Sequence, residues 1–377
     1  MLAITGGKII TMAGRPLDIG TVIADGGKIV GVHEGVLIPP GAEIFDAAGM
    51  IVMPGMIDSH SHVGIVEEIH REEGDDSNET TDPVTPHLRS IDAVNPMDLG
   101  FRDALEGGVT TLVTGPGSAN IIGGEMVAMK THGTVVDDMI LRFPVGLKAA
   151  LGENPKRSYG RDKKTPATRM ASAAIIREAL IKGCEYLKKE SPERDLKMES
   201  IGRVLRKEVP LRVHAHRADD IMTALRIADE FGIDLIIEHC TEGHLVAHRL
   251  ADKNIPAVIG PVITNRAKVE MQGVTIETAR VLAEKGVLFA IMTDHPVVPV
   301  QYLALSAALA VKGGLSEEQA LKAITIDAAR ILGLEKQIGS IEKGKDADLV
   351  ILDRHPLDIA SRVKQVFING RKVKPLY

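Results

Sequence analysis

The chain has 377 residues, 44% of them hydrophobic and 25% charged, which supplies a large buried core and argues against disorder. Its formal charge of −6 and dispersed basic residues exclude the clustered positive surface that a nucleic-acid partner requires. Two cysteines cannot make a disulfide framework, no run approaches the length of a membrane span, and the amino terminus lacks a signal-type pattern, so the expected location is cytoplasmic.

Residues 1–54 read as short β runs punctuated by Gly and Pro: LAITGGKIITM, DIGTVIADGGKIVGV and AEIFDAAGMIVMPG. From about 55 to 334 the pattern becomes strand then helix. It is clearest from LRVHAH through DDIMTALRIADEFGI to DLIIEH, where Asp219 or Asp220 can cap the helix, Ile221, Leu225 and Ala228 carry the apolar spacing, and Gly232 suits its end. The acidic stretch from Val66 to Thr85 is too polar for a core and is expected as an exposed loop over the site face. GPGSANIIGGE has neither the GK[ST] ending of a phosphate loop nor a GxGxxG pattern, and reads as a site-facing loop after the second strand. Residues 335–377 return to β character in ADLVILD and RVKQVFINGRKV, with Asn369-Gly370 offering a type I′ turn. The economical architecture is α/β: a (β/α)8 TIM-type barrel over 55–334, with 1–54 and 335–377 joined into a small composite β domain.

Five residues able to hold a metal sit where apolar runs end: His60 and His62 in MIDSHSH, His214 in LRVHAHR, His239 in LIIEHC and Asp294 in AIMTDHP. In a parallel barrel the site is built from the carboxyl ends of several strands, so ligands far apart in sequence converge. His60 and His62, one residue apart on an extended strand, face the same way and can chelate one ion. A charged Asp294 at the end of a buried run is costly without a cation, and a divalent ion with its water supplies one. A zinc-like ion accepts imidazole nitrogens and a carboxylate oxygen while leaving a position open for water. His244 and His248 lie four apart on a helix with a polar face and without HExxH, and read as solvated. Cys240 lacks a base partner.

These segments, PGMIDSHSHVG, HAHR, IEHC and TDHP, together with the closing GSIEKGKDADLVILD, resemble the amidohydrolase superfamily over nearly the whole chain, and most closely its imidazolonepropionase-related branch. The resemblance implies one or two divalent ions, zinc foremost, with His60 and His62 on the more buried one, His214 and His239 as further ligands, and Asp294 as both ligand and catalytic base. It places His216 beside the substrate or behind the ligands. Lys148 matches a lysine that many members carboxylate to bridge two ions, and is the preferred bridge; Glu153, just past the same strand, is the competitor, as ligand or as polarising group. Arg217, Arg266 and Lys268 are candidates to hold a substrate carboxylate. The implied activity is metal-dependent hydrolysis of an amide or cyclic-amide C–N bond in a small polar substrate. Deamination of a heterocycle, dipeptide cleavage and, remotely, a non-catalytic binding or assembly role are the alternatives. No nucleic-acid or membrane partner is expected, and homo-oligomerisation stays open.

Overall fold

The computed structural model of the protein describes residues 1–69 and 73–373. Positions 70–72 of the expected acidic loop and the last four residues lie outside that range.

The first five strands are β1 (Leu2–Ile9), β2 (Leu17–Asp25), β3 (Lys28–Glu34), β4 (Glu43–Asp46) and β5 (Ile51–Pro54). Eight more follow: β6 (Met56–Ser61), β7 (Val109–Thr114), β8 (Ile122–Lys130), β9 (Ile140–Ala150), β10 (Leu211–Ala215), β11 (Leu235–His239), β12 (Ala257–Ile259) and β13 (Phe289–Ile291). The chain then returns through β14 (Leu349–Leu352), β15 (Val363–Ile368) and β16 (Arg371–Val373).

Both ends of the chain share one sheet, in the order β16-β15-β14-β5-β1-β2-β3 with β4 on β1. Pairing of β14 with β5 is antiparallel, Leu349 opposite Pro54 and Ile351 opposite Val52. The run LVIL reads as continuously apolar because it separates two cores. Leu349 and Ile351 face a small cluster with Ile4, Ile9, Val22, Ile29 and Phe367, whereas Val350 and Leu352 face the large one, as the period-2 alternation of a strand requires. Asn369 and Gly370, at φ +51° and +69°, make the expected two-residue turn between β15 and β16.

The second sheet runs β13-β12-β11-β10-β9-β8-β7-β6. Its two edges meet through backbone bonds beyond the strand ends, Asp294 N to His60 O at 3.2 Å and His62 N to His295 O at 2.9 Å, so the sheet curls into an eight-stranded barrel with helices outside. Simple strand–helix alternation fails at one point, because β8 is antiparallel to both β7 and β9. The physical reason is loop length. Residues 115–121 and 131–139 are too few for a crossover of a dozen or more residues, so the chain can only turn back. The expected cap of helix Ala218–Phe231 also differs: Asp219 and Asp220 stand in its first turn, and the Ala218 N–H is taken by Glu242 Oε2 at 2.9 Å. Gly232 ends that helix at φ +63°, as its freedom from a Cβ allows. Among the described residues no helix is long and apolar enough to cross a membrane.

Candidate metal centre

Five of the eight barrel strands, β6, β9, β10, β11 and β13, deliver polar residues at the same rim. His60 lies on β6 and His62 just past it, Lys148 on β9, His214 on β10 with His216 after it, His239 at the last position of β11, and Asp294 three residues beyond β13. These side chains line the floor of one cavity of about 800 Å³. Its walls carry Asp75, Ser77 and Asn78 from the acidic loop, Gly117 and Ser118 from the glycine-rich loop, and Asn154, Asn265 and Lys268. No Phe, Tyr or Trp side chain lines it among the described residues.

The chain bends sharply where two of the candidate ligands leave their strands. His239 has φ +68° and Asp294 φ +56°, a left-handed conformation uncommon for residues with a Cβ, which cluster at functional sites. His239 Nδ1 lies 2.9 Å from Gly260 O and His62 Nδ1 2.7 Å from Gly115 O. A carbonyl only accepts, so each Nδ1 carries the hydrogen and each Nε2 is left with its lone pair, the arrangement of a ligating histidine. His60 Nε2 stands 3.1 Å from Asp294 Oδ1, and His62 Nε2 3.5 Å from the same oxygen. Two groups of three donors lie within 4.8 Å of one another: His60, His239 and Asp294, and His214, His216 and His239.

These residues fit a divalent ion. His214 is buried, yet neither nitrogen of its ring makes a hydrogen bond to protein, a costly state that a cation relieves. The donors, imidazole nitrogens with carboxylate oxygens, suit zinc and its neighbours better than magnesium or calcium. Charge state agrees. Burial would raise the Asp294 carboxyl, but His239, His60 and His62 outweigh it and hold it well below the usual carboxylate range. Burial, with His214 and His216 beside it, pushes His239 far down, and burial with His214 pushes His216 down to about 3. These directions favour the deprotonated form that ligation needs at Asp294, His239 and His216, whereas His60 is raised, because Glu238 and Asp294 beside it outweigh its burial.

Beneath this layer lies a buried ion cluster. Glu238 accepts from Arg212 Nε at 2.8 Å, meets Lys148 Nζ, and stands 3.0 Å from His60 Nδ1. Arg212 also donates to Ser59 O at 2.6 Å. Glu238, Lys148 and Arg212 all have essentially no solvent exposure. Burial would raise Glu238, yet His60, Lys148 and Arg212 hold it well below the ordinary value, while burial lowers Lys148. Asp58, two residues before His60 on the same strand, is pushed up to about 6 by burial despite its bonds from Thr293 and the His60 N–H.

The remaining expected site residues are dispersed. Glu153 is not among the cavity-lining residues; its carboxylate accepts from the Glu270 N–H at 3.3 Å. Arg217 is paired with Asp219 at 2.9 Å, and Arg266 donates to Gln272 O at 3.2 Å; neither lines the cavity. Lys268 does, at 29% side-chain exposure. His216, expected beside the substrate or behind the ligands, lines the same cavity within the histidine cluster, its ring 4.5 Å from that of His239. Two buried glutamates were not singled out from the sequence. Glu238 had a signal, a charge inside the apolar run LIIEHC. Glu270 had none, since its loop carries no periodicity.

A barrel with a histidine and aspartate cluster at the carboxyl ends of its strands defines a metal-hydrolase type of site, and the comparisons with known proteins agree. The Amidohydrolase family profile matches residues 200–373. A crystal structure of an amidohydrolase from Thermotoga maritima MSB8 is 46% identical, each chain covering 100% of the other, with a TM-score of 0.97. Amidohydrolase tasK of Hapsidospora irregularis is 29% identical over 93% of this chain, which spans 39% of that protein's length. The imidazolonepropionase of Thermoplasma volcanium is 41% identical over 25% of this chain and 26% of its own. The chain belongs to the amidohydrolase superfamily.

Proposed function

We propose that this protein is a metal-dependent amidohydrolase that cleaves the C–N bond of a small, polar, carboxylate-bearing amide or cyclic amide. The observation that carries the reading is the convergence of His60, His62, His214, His239 and Asp294, from four separate strand ends, on the floor of a single cavity. His60, His62, His239 and Asp294 would hold one ion, with His214 beside them. Bound there, a divalent ion would polarise the scissile carbonyl and acidify a water.

Asp294 is the proton carrier. Its carboxylate is ionised, faces the cavity and stands among the donors, so it can take the proton from the attacking water and return it to the leaving nitrogen. Glu238 orients His60 from behind, as a carboxylate behind a ligating histidine does. Lys148, facing Glu238, is best read as an ammonium that balances this carboxylate, because a carbamate would set two anions against each other.

Specificity follows from the walls. Lys268, half-buried on the cavity wall, is placed to hold a substrate carboxylate, while Asn78, Asn154 and Asn265 offer amide donors and acceptors. The cavity, with no Phe, Tyr or Trp among its described lining residues, does not favour a stacked heterocycle. The partial match to an imidazolonepropionase, whose name denotes a cyclic amide bearing a propionate, is in keeping with this substrate class.

The test is a panel of N-acyl amino acids, dipeptides and carboxylated cyclic amides with the metal-loaded protein, run beside Lys268→Ala. Expected is hydrolysis whose KM rises at least roughly tenfold in the variant while kcat changes less, as for lost uniform binding. Absence of bound metal together with absence of hydrolysis would overturn the function. Equal KM in the variant would remove the role of Lys268.

A further inference from the structure

We propose that Glu270 is itself a metal ligand, completing with His214 and His216 a second divalent-cation site of two imidazoles and one carboxylate. This rests on the reading of the histidine cluster as a metal centre and adds to it a donor from outside every recognisable motif.

Glu270 lies in the short 3-10 turn Val269–Met271, in the loop after β12, and is fully buried. One carboxylate oxygen is spoken for: Oε2 accepts from the Glu153 N–H at 2.8 Å. The other, Oε1, is buried and has no hydrogen-bond partner. An anionic oxygen left so is among the most costly features a protein interior can hold. It points between His214 Nε2 and His216 Nε2, each 3.8 Å away. That is too long for a hydrogen bond. Two ligand atoms at roughly 2.1 Å from a common zinc-like ion, set at the tetrahedral angle, stand about 3.4 Å apart, so a small inward movement closes three donors around one cation.

The two histidines are available to it. Neither nitrogen of His214 is hydrogen-bonded, and His216 Nδ1 lies 2.8 Å from Thr241 Oγ1, leaving Nε2 to face Glu270. Lys148, the other source of a carboxylate if modified, is already engaged with Glu238. The backbone around Glu270 is fixed by reciprocal bonds, because the Glu270 N–H donates back to Glu153 Oε2 at 3.3 Å. Gly152, at φ +84°, leaves room for the carboxylate, since a Cβ there would come within 2.6 Å of Glu270 Oε2. Among the described residues the competing cation is Lys268, also 3.8 Å from Oε1 and half-buried on the cavity wall; at that distance it makes no hydrogen bond to the oxygen. Two imidazoles and a glutamate form a donor set used for zinc, and a borderline transition cation is the expected occupant.

The experiment strips the full-length protein of metal and titrates it with Zn²⁺, by calorimetry and by elemental analysis after desalting, for wild type, Glu270→Gln, His216→Asn and Glu153→Gln. Two ions per chain are expected in wild type and in Glu153→Gln, where the amide oxygen still accepts from Glu270. One ion is expected in Glu270→Gln and in His216→Asn, the other weakened at least roughly tenfold. Circular-dichroism melts establish folding, and if Glu270→Gln fails to fold, His216→Asn decides. A second ion held as tightly in Glu270→Gln as in wild type overturns the proposal, as does a single ion in wild type. A second ion that survives Glu270→Gln and increases with added bicarbonate belongs to a carbamate on Lys148, which also overturns it. No ion at all in wild type removes the metal-centre reading itself.

Discussion

Glu238→Gln tests the cluster beneath the candidate metal centre. The wild-type carboxylate faces Lys148 Nζ, Arg212 Nε at 2.8 Å and His60 Nδ1 at 3.0 Å, with no solvent reaching any of them. The amide keeps the volume and removes the charge, leaving Arg212 buried without an anion. Breaking a buried pair in this way costs about 3–5 kcal/mol, and the lower end is expected because Lys148, already lowered by burial, can release its proton where Arg212 cannot. For 377 residues an unfolding entropy of about 2.1 cal/mol/K per residue gives about 0.8 kcal/mol per kelvin, so the melting temperature should fall by about 4–6 °C. The pH dependence has a definite sign. The folded carboxyl of Glu238 lies well below its unfolded value, so its contribution is complete above the unfolded value of about 4.3 and is lost as pH falls through the folded one. Thermal melts of wild type and variant should therefore differ by a constant amount between neutral pH and about pH 5, and converge in acid below about pH 4. An unchanged or higher melting temperature would refute the ammonium reading of Lys148, because a carbamate there would repel Glu238 and the amide would relieve it.

Asp294→Asn should lower kcat by about 10²–10⁴ with the metal content of the same sample largely retained, since the amide keeps an oxygen donor and loses the basic lone pair; full activity at full occupancy would give the base role to another group. Chelation should lower the melting temperature by about 3 °C if the ion was present at about one hundred times its dissociation constant, because binding confined to the folded state adds about 2.7 kcal/mol; a melt indifferent to chelator would count against a resident ion. Phe367, buried on β15 with its ring 5.5 Å from that of Phe45, joins the two ends of the chain; Phe367→Ala should cost about 3–5 kcal/mol, and deletion after Asp353 should destabilise the barrel with it. Melting unchanged by either would mean that residues 1–54 and 335–377 do not act as one unit.

The candidate ligand residues stood out in the sequence for a reason particular to barrels. His60, His214, His239 and Asp294 each terminate or follow a short apolar run, and a polar group at that place has no packing role to explain it. The residues behind them did not, because their meaning depends on register. Lys148 is opposite Arg212 in the pairing of β9 with β10, and His214 opposite Glu238 in that of β10 with β11; these pairings, unreadable from separate strings, are what bring Lys148 and Arg212 to one carboxylate. Reversal of β8 was hidden likewise, since IGGEMVAMK is buried along its whole length and such a strand reads the same in either direction. Glu153 and Glu270 carry the argument furthest. A glutamate was expected near the histidines just after β9, and the one there bonds instead to the backbone of another, Glu270, whose carboxylate faces His214 and His216. Chemistry fixed the type of residue the site needs, while chain topology decided which loop delivers it.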